Sequence, residues 1–346
     1  MKKKKVWMIP VAASAVAVAV GGFIVFQGIQ NVQEVQSGYE EDSMEDTDSA
    51  NDTESAYDTD ASGSGTVTWN GKTYRYNERL SNYLFLGVDK AELVETEAGY
   101  LDAGQTDAIF LVAWDRVDGK LTVVSIPRDT MTPYDYYGRG GQNLGPMKSH
   151  LNLAYAYGDG KHESCRMSVE AVSQLFYGLP IEKYCAISLE ALSEVMEEVG
   201  NVTVTVPNNS LEEKYPEYKE GTEVTLDSEN IEPFIRYRDI GVSQSALSRL
   251  ERQEVFLEAF LEKAEERFAE DPGFVTRSYE AMQPYMVTNA GADQFVKLME
   301  SLASKGKPEH WTVPGTGTEG VNYDEYHVDE DGLYEKMIET FYIEET

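Results

Sequence analysis

The sequence predicts an α/β domain, a sheet covered by helices, carried outside a membrane on a single N-terminal span. Three observations lead there. Strand-like and helix-like patterns alternate through the C-terminal three quarters of the chain. Residues 6–29 carry no charge and follow four lysines. Between these two regions lies an acidic stretch without a lysine or arginine.

The chain has 346 residues and 41% apolar content, enough for one large or two ordinary cores. The uncharged run VWMIPVAASAVAVAVGGFIVFQGI would be about 36 Å long as a helix, sufficient for a bilayer core. A cleaved signal peptide is the competing reading, but its apolar stretch is normally only about 7–15 residues. The MKKKK before the run keeps residues 1–5 in the cytoplasm by the positive-inside rule, and all that follows is then outside. Residues 30–66, including EEDSMEDTDSANDTESAYDTDASGSG, have few large apolar groups to offset their ordering entropy and read as a disordered acidic linker. The expected division is therefore a cytoplasmic tail at 1–5, a transmembrane anchor at 6–29, a linker at 30–66 and an extracytoplasmic domain at 67–346. The cellular location expected is the cell membrane, single-pass.

In the outer domain, TVTWNGKTYRYN is a hairpin about Asn70-Gly71, a dipeptide that accepts the positive φ angles of a tight turn. SNYLFLGVD is a buried strand ending at Asp89. DAIFLVAWD and KLTVVSI are strands joined at Asp118-Gly119, and the second runs into Pro127-Arg128-Asp129. ESCRMSVEAVSQLFYGL is a helix closed by Gly178, YCAIS a strand, LEALSEVMEEVG a helix closed by Gly200 and NVTVTV a strand. Residues 244–269 form a long amphipathic helix followed by two shorter ones, HWTVPG is a late strand and EDGLYEKMIETFY a closing helix. VSQLFYGL and ALSEVMEEV read as core packing, with the wall of an apolar pocket as the alternative.

A net charge of -32 sets nucleic acid aside as a partner. The histidines are scattered without zinc spacing. Cys165 and Cys185 are the only cysteines, and their spacing leaves a disulfide undecided. In so acidic a chain the clustered arginines stand out. In RYRD, read as a strand, Arg236 and Arg238 share a face, about 7 Å apart, and repel unless an anion lies between them. In SRLERQE, Arg249 and Arg252 share a helix face with Gln253 beside them. Surface ion pairing explains any one of these alone. Together they predict a phosphate site, because the guanidinium fork grips phosphate oxygens and keeps its charge. Asp89 and Asp107, each at a strand terminus, can hold the Mg²⁺ that a pyrophosphate favours. Arg128 then meets phosphate at the sheet edge, with Asp129 steering it or closing the strand.

LFLGVD, QTDAIFLVAWD, KLTVVSIPRDT, HLNLAYAYGDG, YCAISLEALSEVMEEVGNVTVTV, FIRYRD and SRLERQ, taken in order over residues 82–260, resemble the successive motifs of the LytR-CpsA-Psr family. The resemblance implies a three-layer α/β/α domain with a central mixed sheet. It further implies a phosphotransferase that attaches a polyprenyl-pyrophosphate-linked anionic glycopolymer, of teichoic acid or capsular type, to peptidoglycan at the membrane and releases polyprenyl phosphate. By position it assigns Asp89 and Asp107 to magnesium. Arg128, Arg236 and Arg238 join Asp107 in catalysis, and Asp129, Asn152, Arg249, Arg252 and Gln253 bind substrate. The sequence departs from the family pattern at Gln105, where an arginine is usual, at Ala246, where an aspartate is usual, and at Lys90, which adjoins Asp89 instead of following it by two. A shifted donor or acceptor, or a slower rate, is expected from these changes. Two further readings stay open: a hydrolase of polyprenyl pyrophosphate using the same groups, and a non-catalytic surface regulator that binds anionic lipid. Asp107 and Asp129 are both candidates for the general base.

Overall fold

The computed structural model describes residues 66–345 apart from 139–140, 189, 238, 240–244, 272, 306–307 and 320–322. The expected anchor at 6–29 and almost all of the linker lie outside the described residues. Among the described residues no helix is long and apolar enough to cross a membrane.

The strands are β1 (Thr66–Trp69), β2 (Lys72–Tyr76), β3 (Leu80–Val88), β4 (Thr106–Asp115), β5 (Leu121–Ile126), β6 (Met131–Tyr137), β7 (Asn143–His150), β8 (Lys183–Ile187), β9 (Val202–Thr205), β10 (Glu223–Leu226), β11 (Met286–Thr288), β12 (Glu309–Thr312), β13 (Gly315–Glu319), β14 (Asp324–Val328) and β15 (Tyr342–Glu344). The helices are α1 (His162–Leu175), α2 (Glu190–Val199), α3 (Ile231–Arg236), α4 (Ser245–Glu270), α5 (Phe274–Met282), α6 (Ala292–Lys305) and α7 (Glu330–Phe341).

A six-stranded sheet in the order β11-β8-β3-β4-β5-β12 forms the centre. It is mixed: β3 runs antiparallel to β4 and parallel to β8, and β5 runs antiparallel to β4 and parallel to β12. Near-continuous apolar runs make the middle strands, because both faces are covered. Tyr83, Phe85, Phe110 and Val112 point into one core with α2, α5 and α6 and with Phe256 and Phe260 of α4. Leu84, Leu86, Ile109 and Leu111 point into the other, with α1 and α7. Alternate side chains of each strand thus serve opposite cores, and the domain has three layers.

The hairpin at 66–76 forms as expected. Asn70 and Gly71 both take positive φ, at 49° and 73°, and β1 pairs antiparallel with β2. Both cysteines are buried and free. Cys185 on β8 belongs to one core and Cys165 on α1 to the other, so the sheet itself separates the thiols. One expectation is corrected: Arg236, read as part of a strand, is the last residue of α3. The physical reason lies upstream. Ile231, Phe234 and Ile235 are buried at i, i+3 and i+4, a helical spacing, and the Asp227 carbonyl and carboxylate anchor the helix start by accepting from the Ile231 and Asn230 amides at 3.1 and 3.0 Å.

Candidate active site

The site is built where β3 and β5 end and β4 begins. β3 delivers Asp89 one residue beyond its last pairing, and β5 runs out through Pro127 to Arg128 and Asp129. The entry to β4 is irregular. Gly87 pairs with Ala108, but Val88 pairs with Thr106. Asp107 is therefore the inserted residue of a β-bulge, a device that re-aims a side chain next to functional sites. The loop before it closes tightly on Asp89. Gly104 has φ of +90°, and a Cβ there would lie 2.7 Å from Asp89 Oδ1, so only glycine fits without strain.

Asp107 is 7% exposed, and its Oδ1 accepts from Arg128 Nη1. Its Oδ2 is buried without a donor. Burial raises its pKa to about 6, the nearby Asp89 adds to the rise, and Arg128 and Arg249 oppose it. Burial likewise raises Asp89, with the Gln105 amide and the Lys90 and Arg128 charges acting the other way. Burial alone would lower the Arg128 pKa, but the surrounding carboxylates of Asp107, Asp129 and Asp89 outweigh it and raise it. Arg128 Nε donates to Asp129 Oδ1 at 3.0 Å and Nη2 to Gln105 Oε1 at 3.2 Å. Asn152 is buried and donates from Nδ2 to the same Gln105 oxygen at 2.9 Å. Its main chain is fixed by the Arg128 carbonyl at 3.1 Å.

The structure thus gathers Asp89, Asp107, Arg128, Asp129 and Asn152, with Arg249 close enough for its charge to act on Asp107. Other expected residues have different partners. Arg236 pairs with Glu232 one turn back on α3. Arg252, fully buried, donates from Nε to the Phe234 carbonyl at 2.7 Å and from Nη1 to the Ser248 carbonyl at 3.3 Å. It also donates to Ser210 Oγ and to the Tyr237 carbonyl. Burial lowers its pKa to about 10, and the neighbouring Arg249 adds to that. Its guanidinium braces the α3–α4 junction rather than facing an open site, a role that residue spacing on a helix does not distinguish from phosphate binding. Arg238 and the side chain of Gln253 lie outside the described residues. Gln105, noted in the sequence only as a departure, is the residue that sequence reasoning missed. Gly104 just before it was the available signal.

The donor set suits a small hard cation. Asp89 and Asp107 supply carboxylate oxygens, and the buried acceptors Asp107 Oδ2 and Asn152 Oδ1 lack donors. Mg²⁺ is typically held by one or two carboxylates together with substrate oxygens. Among the described residues no group of three or more His, Cys, Asp or Glu side chains could hold a metal, so a bound cation here would need ligands from substrate or water.

The family model for the LytR_cpsA_psr family matches residues 34–340. The polyisoprenyl-teichoic acid–peptidoglycan teichoic acid transferase TagU of Enterococcus faecalis is 26% identical over 263 residues, 74% of this chain and 77% of that protein. The transferase of the same type TagV of Bacillus subtilis is 28% identical over 185 residues, covering 52% of this chain but only 42% of the relative. The crystal structure of B. subtilis TagV superposes with a TM-score of 0.54 at 21% identity, covering 76% of this chain and 98% of that one.

Proposed function

Because this chain belongs to the LytR_cpsA_psr family, we propose that it is a phosphotransferase that attaches a polyprenyl-pyrophosphate-linked anionic glycopolymer to peptidoglycan and releases polyprenyl phosphate. The observation that carries the reading is the buried Asp107–Arg128 pair at the sheet edge, with Asp89 beside it and two acceptor oxygens left without donors. Such a group is poorly explained as a stabilising device, since burying charge is costly. It suits a diphosphate, whose negative oxygens would take the guanidinium donors.

In this reading Asp89 and Asp107 would hold Mg²⁺, which would offset charge on the diphosphate oxygens. Arg128 is held by Asp107, Asp129 and Gln105 in one orientation, so its stabilisation of developing charge is preorganised. Arg249 adds a second positive charge near Asp107. A peptidoglycan hydroxyl attacks the sugar-linked phosphorus, the bond to the polyprenyl phosphate oxygen breaks, and the hydroxyl proton passes to a carboxylate. We assign that proton to Asp129, whose side chain is 28% exposed against 1% for Asp107. In this reading the anchor expected at 6–29 and the expected outside location would keep the domain beside a lipid-linked donor.

The test is transfer of a lipid-linked glycopolymer to peptidoglycan with Mg²⁺, comparing the unaltered chain with Arg128→Ala. Loss of a preorganised donor typically lowers rate by about 10²–10³. Polymer bound to glycan is the expected product. Full activity of the Arg128→Ala chain, or free polymer phosphate as the only product, refutes the reading, and the latter points to hydrolysis.

A further inference from the structure

Gln105 links three groups of the site, Asp89, Arg128 and Asn152. Its main chain is paired twice with Asp89: the Asp89 amide donates to the Gln105 carbonyl at 3.0 Å, and the Gln105 amide donates to Asp89 Oδ1 at 2.6 Å. Its side-chain oxygen accepts from Arg128 Nη2 at 3.2 Å and from Asn152 Nδ2 at 2.9 Å. A guanidinium only donates, so the Gln105 atom that faces it must be the oxygen. That oxygen in turn requires a donor from Asn152. The orientation of one amide therefore dictates that of the other, and Asn152 Oδ1 is left as a buried acceptor without a donor, as is Asp107 Oδ2.

We propose that Gln105 is the positioning residue of this site: a neutral carbonyl that fixes the Arg128 guanidinium and sets the polarity of Asn152, so that Asn152 keeps an oxygen for a cation or an incoming hydroxyl. Its main chain meanwhile holds Asp89. The ligand class is a pyrophosphate with a divalent cation. The chemistry rests on the transferase reading, whereas the amide relay rests on hydrogen-bond geometry alone. Without the Gln105 oxygen, Arg128 keeps its carboxylates but loses a restraint on rotation, and the Asn152 amide is free to turn over.

The experiment uses the full-length chain and Gln105→Met, which matches the length of glutamine, lacks its acceptor and retains the backbone pairing to Asp89. Three quantities are measured: transfer kinetics, binding of inorganic pyrophosphate with Mg²⁺ by calorimetry, and melting temperature. Partners of this kind typically contribute 10–100-fold. The expected result is a kcat lowered by roughly that factor with KM changed less than about threefold, and pyrophosphate affinity weakened about tenfold. Asn152→Leu and the double variant complete a cycle. If Gln105 acts through Asn152, the double variant is no worse than the poorer single one within about threefold. Unchanged kcat and pyrophosphate affinity, or losses that multiply in the double variant, would overturn the proposal. A collapse in melting temperature would also overturn it, by giving Gln105 a fold role. If the unaltered chain binds pyrophosphate but transfers nothing, the transferase reading fails and the calorimetric comparison still decides the role of Gln105. If it binds no pyrophosphate, both fail.

Discussion

Replacing Asp107 by asparagine should make the metal-free protein more stable while removing activity. In the folded chain burial raises this carboxyl from 3.8 to about 6, even with Arg128 against it. The folded state therefore holds a proton that the unfolded state releases between these two values. By linkage, stability falls as pH rises through that window and is flat above it. At about 1.36 kcal/mol per pKa unit, the difference between 3.8 and about 6 costs the ionised protein on the order of 3 kcal/mol at pH 7. Asparagine resembles the protonated acid in shape and charge and escapes that cost. The assay is urea unfolding in EDTA from pH 4 to 8, comparing Asp107→Asn with the unaltered chain. The gain should reach roughly 3 kcal/mol near pH 7 and shrink towards zero near pH 4. With Mg²⁺ added, only the unaltered chain should gain stability, narrowing the gap. A gap below about 1 kcal/mol at pH 7, or one that does not change with pH, refutes the electrostatic account of this residue.

Other substitutions separate scaffold from chemistry. Arg252→Met removes ionic hydrogen bonds to the Phe234 and Tyr237 carbonyls and should cost about 3 kcal/mol or more in a chemical unfolding experiment. Gly104→Ala forces a Cβ to within 2.7 Å of Asp89 Oδ1 at positive φ, so it should lower stability by about 1–3 kcal/mol and weaken Mg²⁺ binding measured by titration. Asp129→Asn still offers an oxygen to Arg128 but takes up no proton, and should lower kcat by about 10²–10⁴, a loss that raising the pH does not restore. Both thiols are buried, and burial raises their pKa values. Neither cysteine should react with a thiol reagent until denaturant is added, and both should then react.

Much of this was legible in the sequence because local pattern and burial agree. SNYLFLGVD, DAIFLVAWD and KLTVVSI read as strands and form β3, β4 and β5, and the carboxylates and Arg128 at their ends were placed by chain order alone. The hairpin at Asn70-Gly71 follows from turn chemistry. RYRD misled because alternating residues in a short charged stretch resemble a strand, whereas the helix is specified by Ile231, Phe234 and Ile235 just before it. Arg252 misled for another reason: spacing shows which residues share a helix face, not whether that face meets carbonyls or solvent. The bulge at Asp107 depends on how β3 and β4 register with each other, which no property of either strand alone records. Gln105 was hidden for the same cause, since its importance comes from partners 16, 23 and 47 positions away.

The extra residue in β4 makes the Asp107 carboxylate separable from the architecture that carries it. Excising a single codon at this point would let the two strands pair without the register shift, healing the ladder, yet it would erase the acid. If the proposed transfer depends on Asp107, a lineage could lose it in one step while keeping the shape, and a healed β3–β4 ladder in a related chain would mark such a retired copy.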